Sequence, residues 1–431
     1  MVTILKIAGL ILEQFGNLLA DEFFWIIVLI LIMLYKKNSG IEVRMLGSSY
    51  SLFNKVSSSV LVGLAGGLSG SLLVILMGIS IEDYTRVGGG SLTEAITYIW
   101  IIAVLLALIN PRYLCFSYAG GLIALMNLIF RFPSVNVAGL LALIGVLHLI
   151  ESFLIWIDGC SYSVPLFLKR KDGKTVGGYI MNKVWPIPLI VFAVMFGNEG
   201  NGASFAGIIH MPDWWPVLKH YAAEGSSGLV YIPLVVPVVL GYGDMAISKT
   251  PEKRCSSSAV RLGCYSLVLI ILSVIASKLR FFAYLAAAFA PIAHEMLILY
   301  GAKEEEEGKP CFESDENGLK VLYVKKDSPA GIMHIEPGDA ILKINGTDIN
   351  DEKQLSGFLG SYPVFVWLLI KKKSGKMLTV EYTDYRSGIG SLGALIVPRN
   401  PEFFYEVNRG GSIAKKLIDR LKKKQNKGVD V

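Results

Sequence analysis

Residues 145–152 read Gly-Val-Leu-His-Leu-Ile-Glu-Ser and set His148 and Glu151 three positions apart inside a long apolar run. On a helix those positions share a face, so the two side chains could pair. Ionisable groups at membrane depth are costly, and such a pair is either a proton or metal site or a polar clasp between helices. The clasp is favoured, because a transport site would need more intramembrane carboxylates than the chain offers. His294-Glu295 opens the zinc-protease pattern His-Glu-x-x-His, but position 298 is Ile and the second imidazole is missing. The inverted pattern His-x-x-Glu-His fails too, since Ser152 follows Glu151. No metal site, cofactor or catalytic residue is therefore expected.

Two aspartates sit in better decoys. Asp158-Gly159 matches the Asp-Gly element of site-2 metalloproteases, yet there the His-Glu motif comes first and here the order is reversed. Gly241-Tyr242-Gly243-Asp244 matches the Gly-x-Gly-Asp of intramembrane aspartyl proteases, whose chemistry needs a second aspartate sharing a proton. Asp158 is the candidate partner. The Pro-Ala-Leu motif of that family is absent, and Met245-Ala246 stand where prepilin peptidases carry a lysine. A helix-ending turn, freed by the two glycines, is the simpler account of the motif. A serine protease would need a soluble pair of β-barrels, for which no stretch is long enough.

The chain that must position these groups has 431 residues, 53 % hydrophobic and only 18 % charged, against about 25 % charged in soluble domains. That is the balance of a membrane protein. Its five cysteines form no Cys-x-x-Cys and read as reduced packing residues. The late apolar run from Phe23, preceded by Asp21-Glu22, is expected to remain in the mature protein rather than act as a cleaved leader.

At roughly 20 apolar residues per crossing, the candidate spans are Leu18 to Tyr35, Val60 to Ile81, Ala95 to Asn110, Tyr113 to Phe130, Val137 to Ile157, Val184 to Phe196, Leu229 to Tyr242, Gly263 to Ser277 and Phe281 to Tyr300. The sixth and seventh are short and interrupted by Pro186, Pro188, Pro233 and Pro237, which predicts kinked or re-entrant helices and seven to nine spans in all. Lys and Arg cluster at 36–55, 169–183 and 249–261, which places those loops and the C-terminal third in the cytoplasm. Lys278 and Arg280, in an exterior turn, break the pattern.

From Asn317 the apolar period changes to two. Strands are predicted at 319–324, 340–344, 364–371, 377–382 and 392–397, with a tight turn at Asn345-Gly346 and a short helix from Asp351 to Leu359. Gly318-Leu319-Lys320-Val321, Asp327-Ser328-Pro329-Ala330-Gly331 and Glu336-Pro337-Gly338-Asp339 through Ile344-Asn345-Gly346 resemble the core signature of a bacterial PDZ domain. PDZ domains capture an extended peptide by strand addition, its carboxylate resting on a hydrophobic-Gly-hydrophobic loop. The resemblance implies that Leu392, Gly393, Ala394 and Leu395 are that loop, and that Leu355, Phe358 and Leu359 form the opposite wall.

The predicted architecture is a polytopic α-helical membrane domain (1–300), an acidic linker (301–316), a small β-rich PDZ domain (317–400) and a basic tail (401–431). Its order resembles the MinJ-like membrane scaffolds of division-site selection. That resemblance implies a non-enzymatic scaffold of the plasma membrane, at septa or poles, binding proteins or peptides through its PDZ domain, with DivIVA-like and MinD-like partners and no nucleic acid. An intramembrane aspartyl protease and a small-solute transporter are the alternatives. Glu304 to Glu307 read as a solvated, self-repelling stretch. The tail, with Lys415, Lys416, Arg420 and Lys422 to Lys424 on a helical spacing with Ile413, Leu417 and Leu421, suits anionic lipid or plain solvent equally.

Overall fold

The computed structural model describes residues 2–19, 22–82, 92–133, 135–170, 173–196, 215–218, 229–314 and 318–399. The basic tail lies outside them. The N-terminal part holds helices α1 (Val2–Leu19), α2 (Glu22–Leu46), α3 (Leu52–Met77), α4 (Leu92–Ile109), α5 (Phe116–Phe130) and α6 (Val137–Asp158), with a short strand β1 (Ser80–Glu82) after α3. Strands β2 (Val164–Lys169), β3 (Thr175–Phe196) and β4 (Leu229–Ala246) follow, then α7 (Pro251–Ala276) and α8 (Arg280–Glu307). Among the described residues five helices, α2, α3, α6, α7 and α8, are long and apolar enough to cross a membrane, and α4 and α5 contain shorter apolar stretches.

Helix α1 is absent from the sequence expectation because it is short of a full span. Its stripe is nevertheless regular: Ile7, Ile11, Phe15 and Leu18 are all buried, one helical face spaced by three and four.

The expected sixth and seventh spans are not helices. Val184 to Phe196 and Leu229 to Tyr242 belong to β3 and β4, an antiparallel pair in unbroken register from Tyr179 opposite Ala246 to Phe196 opposite Leu229. The prolines explain the choice. Proline cannot donate to a ladder, so it fits only where the strand's N–H would point away from the partner. Pro186 faces Val239, Pro188 faces Pro237 and Phe192 faces Pro233. All four prolines thus fall on the same register parity, and the pairing between the strands loses nothing.

The outward edge of β3 is covered. It pairs with β2 at one end and with β1, in parallel, at the other. Between them the Val184 N–H donates to the Tyr35 hydroxyl (3.3 Å) and the Ile190 N–H to Ser71 Oγ (2.8 Å), while Pro186 and Pro188 have no N–H to satisfy. In an apolar setting each backbone donor needs such a partner. Helix α3 lies against this edge through glycine. A Cβ on Gly63 would stand 2.2 Å from the Pro186 carbonyl oxygen, and one on Gly67 2.5 Å from that of Pro188.

Residues 318–399 form the second core: β5 (Leu319–Val324), α9 (Pro329–Ile332), β6 (Ala340–Ile344), β7 (Thr347–Asp348), α10 (Glu352–Leu359), β8 (Phe365–Lys371), β9 (Met377–Thr383) and β10 (Ala394–Ile396), in strand order β10-β5-β6-β8-β9. Asn345 and Gly346 both take positive φ (45° and 85°), as a tight hairpin turn requires. The buried Asp339 carboxylate closes the Glu336-Pro-Gly-Asp turn, accepting from the Glu336 N–H (2.9 Å), the Lys373 N–H (3.2 Å) and Lys372 Nζ (2.9 Å).

The two parts are in contact. The Gly177 N–H donates to the Phe312 carbonyl (2.7 Å), the Tyr179 hydroxyl donates to the Leu322 carbonyl, and Phe312, Leu322 and Val397 are buried in the larger core. Burial, with Tyr323 and Glu42 nearby, pushes the Tyr50 hydroxyl up to about 12, so it stays neutral at this junction.

Candidate functional site

The residues expected to bind peptide lie on α10 and in the loop and strand that end the small domain. The Asp351 side chain caps α10 by accepting from the Gln354 N–H (2.7 Å). Leu355 and Leu359 are buried and Phe358 is half-buried against the same core. The loop before β10 is pinned from both sides: Leu392 is buried, its carbonyl accepts from the Ala330 N–H (2.9 Å), and the Gly393 carbonyl accepts from the Lys325 N–H (2.8 Å). Strand β10 pairs with β5 on one side only and is the terminal strand of its sheet among the described residues. An edge strand of this kind presents unpaired backbone groups to an incoming chain.

Side chains alternate along β10. Ala394 and Ile396 pack on the small domain's own core, whereas Leu395 turns to the opposite face, against the membrane part. Ile396, not singled out from the sequence, shares the inner face with Ala394, and period-two alternation is the signal that points to it.

Gly393 has φ +69°, and a Cβ there would meet the Ser328 Cβ at 2.3 Å. Gly393→Ala is expected to destabilise the small domain by about 1–3 kcal/mol. Faster cleavage of its strands in limited proteolysis of the full chain would show this. Unchanged protection would contradict it. A bulky residue at 393 therefore reports on folding first.

No family model matches the chain. Over 259 residues it is 23 % identical to the cell division topological determinant MinJ of Bacillus subtilis, covering 60 % of this chain and 61 % of that protein. A probable MinJ of Lacticaseibacillus paracasei is 21 % identical over 197 residues, 43 % of this chain and 53 % of that one. The chain is similar to these MinJ proteins. It spans only about three-fifths and half the length of those relatives. The crystal structure of the PDZ domain of an SdrC-like protein from Listeria monocytogenes is 23 % identical over 20 % of this chain and 93 % of that one, with a TM-score of 0.17.

In this MinJ-like chain the two aspartates of the protease decoys are held in separate ion pairs. Asp158, at the end of α6, lies 2.8 Å from Lys183 Nζ and accepts from Trp185 Nε1 (2.9 Å) and Ser58 Oγ (3.0 Å). Asp244 accepts from Arg254 Nε (2.8 Å) and Nη2 (3.1 Å), from Ser258 Oγ (3.1 Å) and from the Tyr242 hydroxyl (3.0 Å). Each carboxylate is matched to its own cation, whereas an aspartyl dyad needs two carboxyl groups sharing one proton. The Gly241-Tyr-Gly-Asp motif is likewise no helix-ending turn. It lies within β4, and neither glycine takes positive φ.

The acidic stretch also departs from expectation. Helix α8 runs on to Glu307. Glu304 binds Lys249 (2.7 Å) and Arg261 (2.8 Å), and buried Glu305 accepts from the Ile247 and Ser248 N–H groups (2.7 Å each). Glu304 and Glu305 thus tie α8 to the turn after β4 and to α7, instead of standing apart in solvent.

His148 is committed to partners other than Glu151. Its Nδ1 meets the Ile144 carbonyl (2.8 Å), and its Nε2 faces Cys115 Sγ (3.0 Å) and Ser117 Oγ (3.1 Å) on the start of α5. The clasp runs between α6 and α5 rather than along α6.

Proposed function

We propose that the chain is a non-enzymatic membrane scaffold whose PDZ domain recruits proteins by strand addition at β10, in cell-division site placement. The observation that carries this is the open edge of β10, next to the Leu392-Gly393 loop and sharing a core with the apolar side of α10. Ala394, Ile396 and Phe358 supply the side-chain pocket, while Leu395 anchors the strand to the membrane part. The division role is drawn from the names of the MinJ relatives, and DivIVA-like and MinD-like proteins are the partners this suggests.

Phe358→Asp places a charge on the groove wall. It is expected to cut capture of a division-site partner by the detergent-solubilised full chain at least about tenfold, the cost of one buried apolar contact and a desolvated charge. Protein abundance should be unchanged. Full capture by this variant would refute groove recruitment.

The Lys and Arg of the 169–183 and 249–261 segments favour a cytoplasmic PDZ domain. An alkaline phosphatase fusion after Gly308 should be inactive. An active fusion would put the domain outside and exclude cytoplasmic partners.

A further inference from the structure

Three side chains from separate helices converge inside the helical part. Cys115 caps the start of α5, His148 sits in mid α6 and His294 in α8. Cys115 Sγ lies 3.0 Å from His148 Nε2 and 3.6 Å from His294 Nε2, and one donor atom from each residue falls within 4.8 Å of the others. Tetrahedral zinc, with Zn–S near 2.3 Å and Zn–N near 2.0 Å, holds its ligand atoms roughly 3.5 Å apart.

The hydrogen bonds around the cluster leave it rich in acceptors. The Ile144 carbonyl can only accept, so His148 Nδ1 carries the proton and Nε2 presents a lone pair. The Tyr265 hydroxyl donates to the Ala290 carbonyl (3.0 Å), so in the 2.8 Å contact between Tyr265 and Ser117 it is Ser117 that donates. Ser117 Oγ then turns a lone pair toward the lone pair of His148 Nε2, 3.1 Å away. A thiol proton on Cys115 relieves one of these acceptors; a cation relieves them together. His294 is buried, and its Nδ1 has no hydrogen-bond partner among the described residues. The neighbouring Glu295 carboxylate is already taken by the Tyr118 hydroxyl (2.6 Å) and Arg112 (2.6 Å).

We propose that Cys115, His148 and His294 bind a zinc ion, with Ser117 Oγ at the fourth position. Four protein ligands and no open site make it structural. The Ile144 carbonyl fixes the tautomer and ring orientation of His148. Cys115 gives up its thiol proton to solvent on binding. The ion fastens α5, α6 and α8 to one another, independently of partner recruitment by the PDZ domain.

The test is metal content of the full chain, purified in detergent through a tag without histidine. Wild type should carry about one zinc per chain, and cobalt exchanged into it should show the thiolate-to-metal charge-transfer band. Cys115→Ser and His294→Asn should each lower zinc at least about fivefold and abolish that band, while Cys264→Ser, on an exposed cysteine of α7, should change neither. A chelator should lower the unfolding midpoint of wild type and of Cys264→Ser, and leave those of the two ligand variants unchanged. Wild type with neither zinc nor a cobalt band overturns the proposal even if the variants misfold. Zinc retained in both ligand variants overturns it as well, and copper in place of zinc overturns the assignment of the ion.

Discussion

Asp158→Asn should lower the stability of the whole chain by about 3–5 kcal/mol, the range for breaking a buried ion pair by removing one partner. The substitution keeps the shape of the side chain but leaves the Lys183 ammonium uncompensated. The Asp158 and Lys183 side chains are only 5 % and 2 % exposed, so solvent cannot take over. The introduced amide would keep an oxygen for the Trp185 indole, which isolates the charge as the cause. The double variant Asp158→Asn with Lys183→Met should recover more than half of the loss, because removing both charges leaves none unpaired. The unfolding midpoint in detergent and the steady-state amount in membranes are the measurements. A single variant as stable as wild type would show that the pair is not buried as described. Loss of activity toward a substrate at full abundance would instead revive the aspartyl protease.

The second large effect is expected at the contact of α3 with β3. Gly63→Val and Gly67→Val bring side-chain atoms onto the carbonyl oxygens of Pro186 and Pro188. Those oxygens belong to backbone fixed by β4 on the other side, so they cannot swing away as a flexible side chain would. Overpacking of this kind costs typically about 1–3 kcal/mol and more where backbone is the obstacle. Each variant should therefore accumulate poorly. Gly40→Ala, where a Cβ meets nothing within 4 Å, should be neutral or slightly stabilising. Both can be read from membrane abundance beside wild type. Equal amounts of all three would mean that α3 and β3 do not approach as closely as this.

The same contact shows what the sequence could and could not reveal. Val184 to Phe196 and Leu229 to Tyr242 are apolar enough to be mistaken for spans, and hydropathy takes no account of period. Pro186 with Pro188, and Pro233 with Pro237, stand at even spacings, which is the signature of a strand with its prolines on one edge. The elements of the small domain are legible because their signals are local: Asn345-Gly346 specifies its own turn, and Asp351 caps its own helix. Glu304 and Glu305 escape a sequence reading because their cations, Lys249, Arg254 and Arg261, lie some 40 to 55 residues away and are brought close only by the packing of α7 on α8. His148 stands out in the sequence but its partners do not, since Cys115, Ser117 and His294 come from other helices. The place of the Gly393 loop before the last strand is what the family resemblance implies, while the packing of Leu395 on the larger core depends on how the small domain's sheet rests against it.

Recruitment through the PDZ groove is the central claim, and it is tested most directly by imaging the full chain as a fluorescent fusion in dividing bacterial cells. Wild type should gather at septa or poles. Phe358→Asp should spread evenly around the membrane at the same abundance, whereas Lys371→Ala, on an exposed position of β8, should localise like wild type. A Phe358→Asp protein that still gathers at septa would contradict recruitment through the groove.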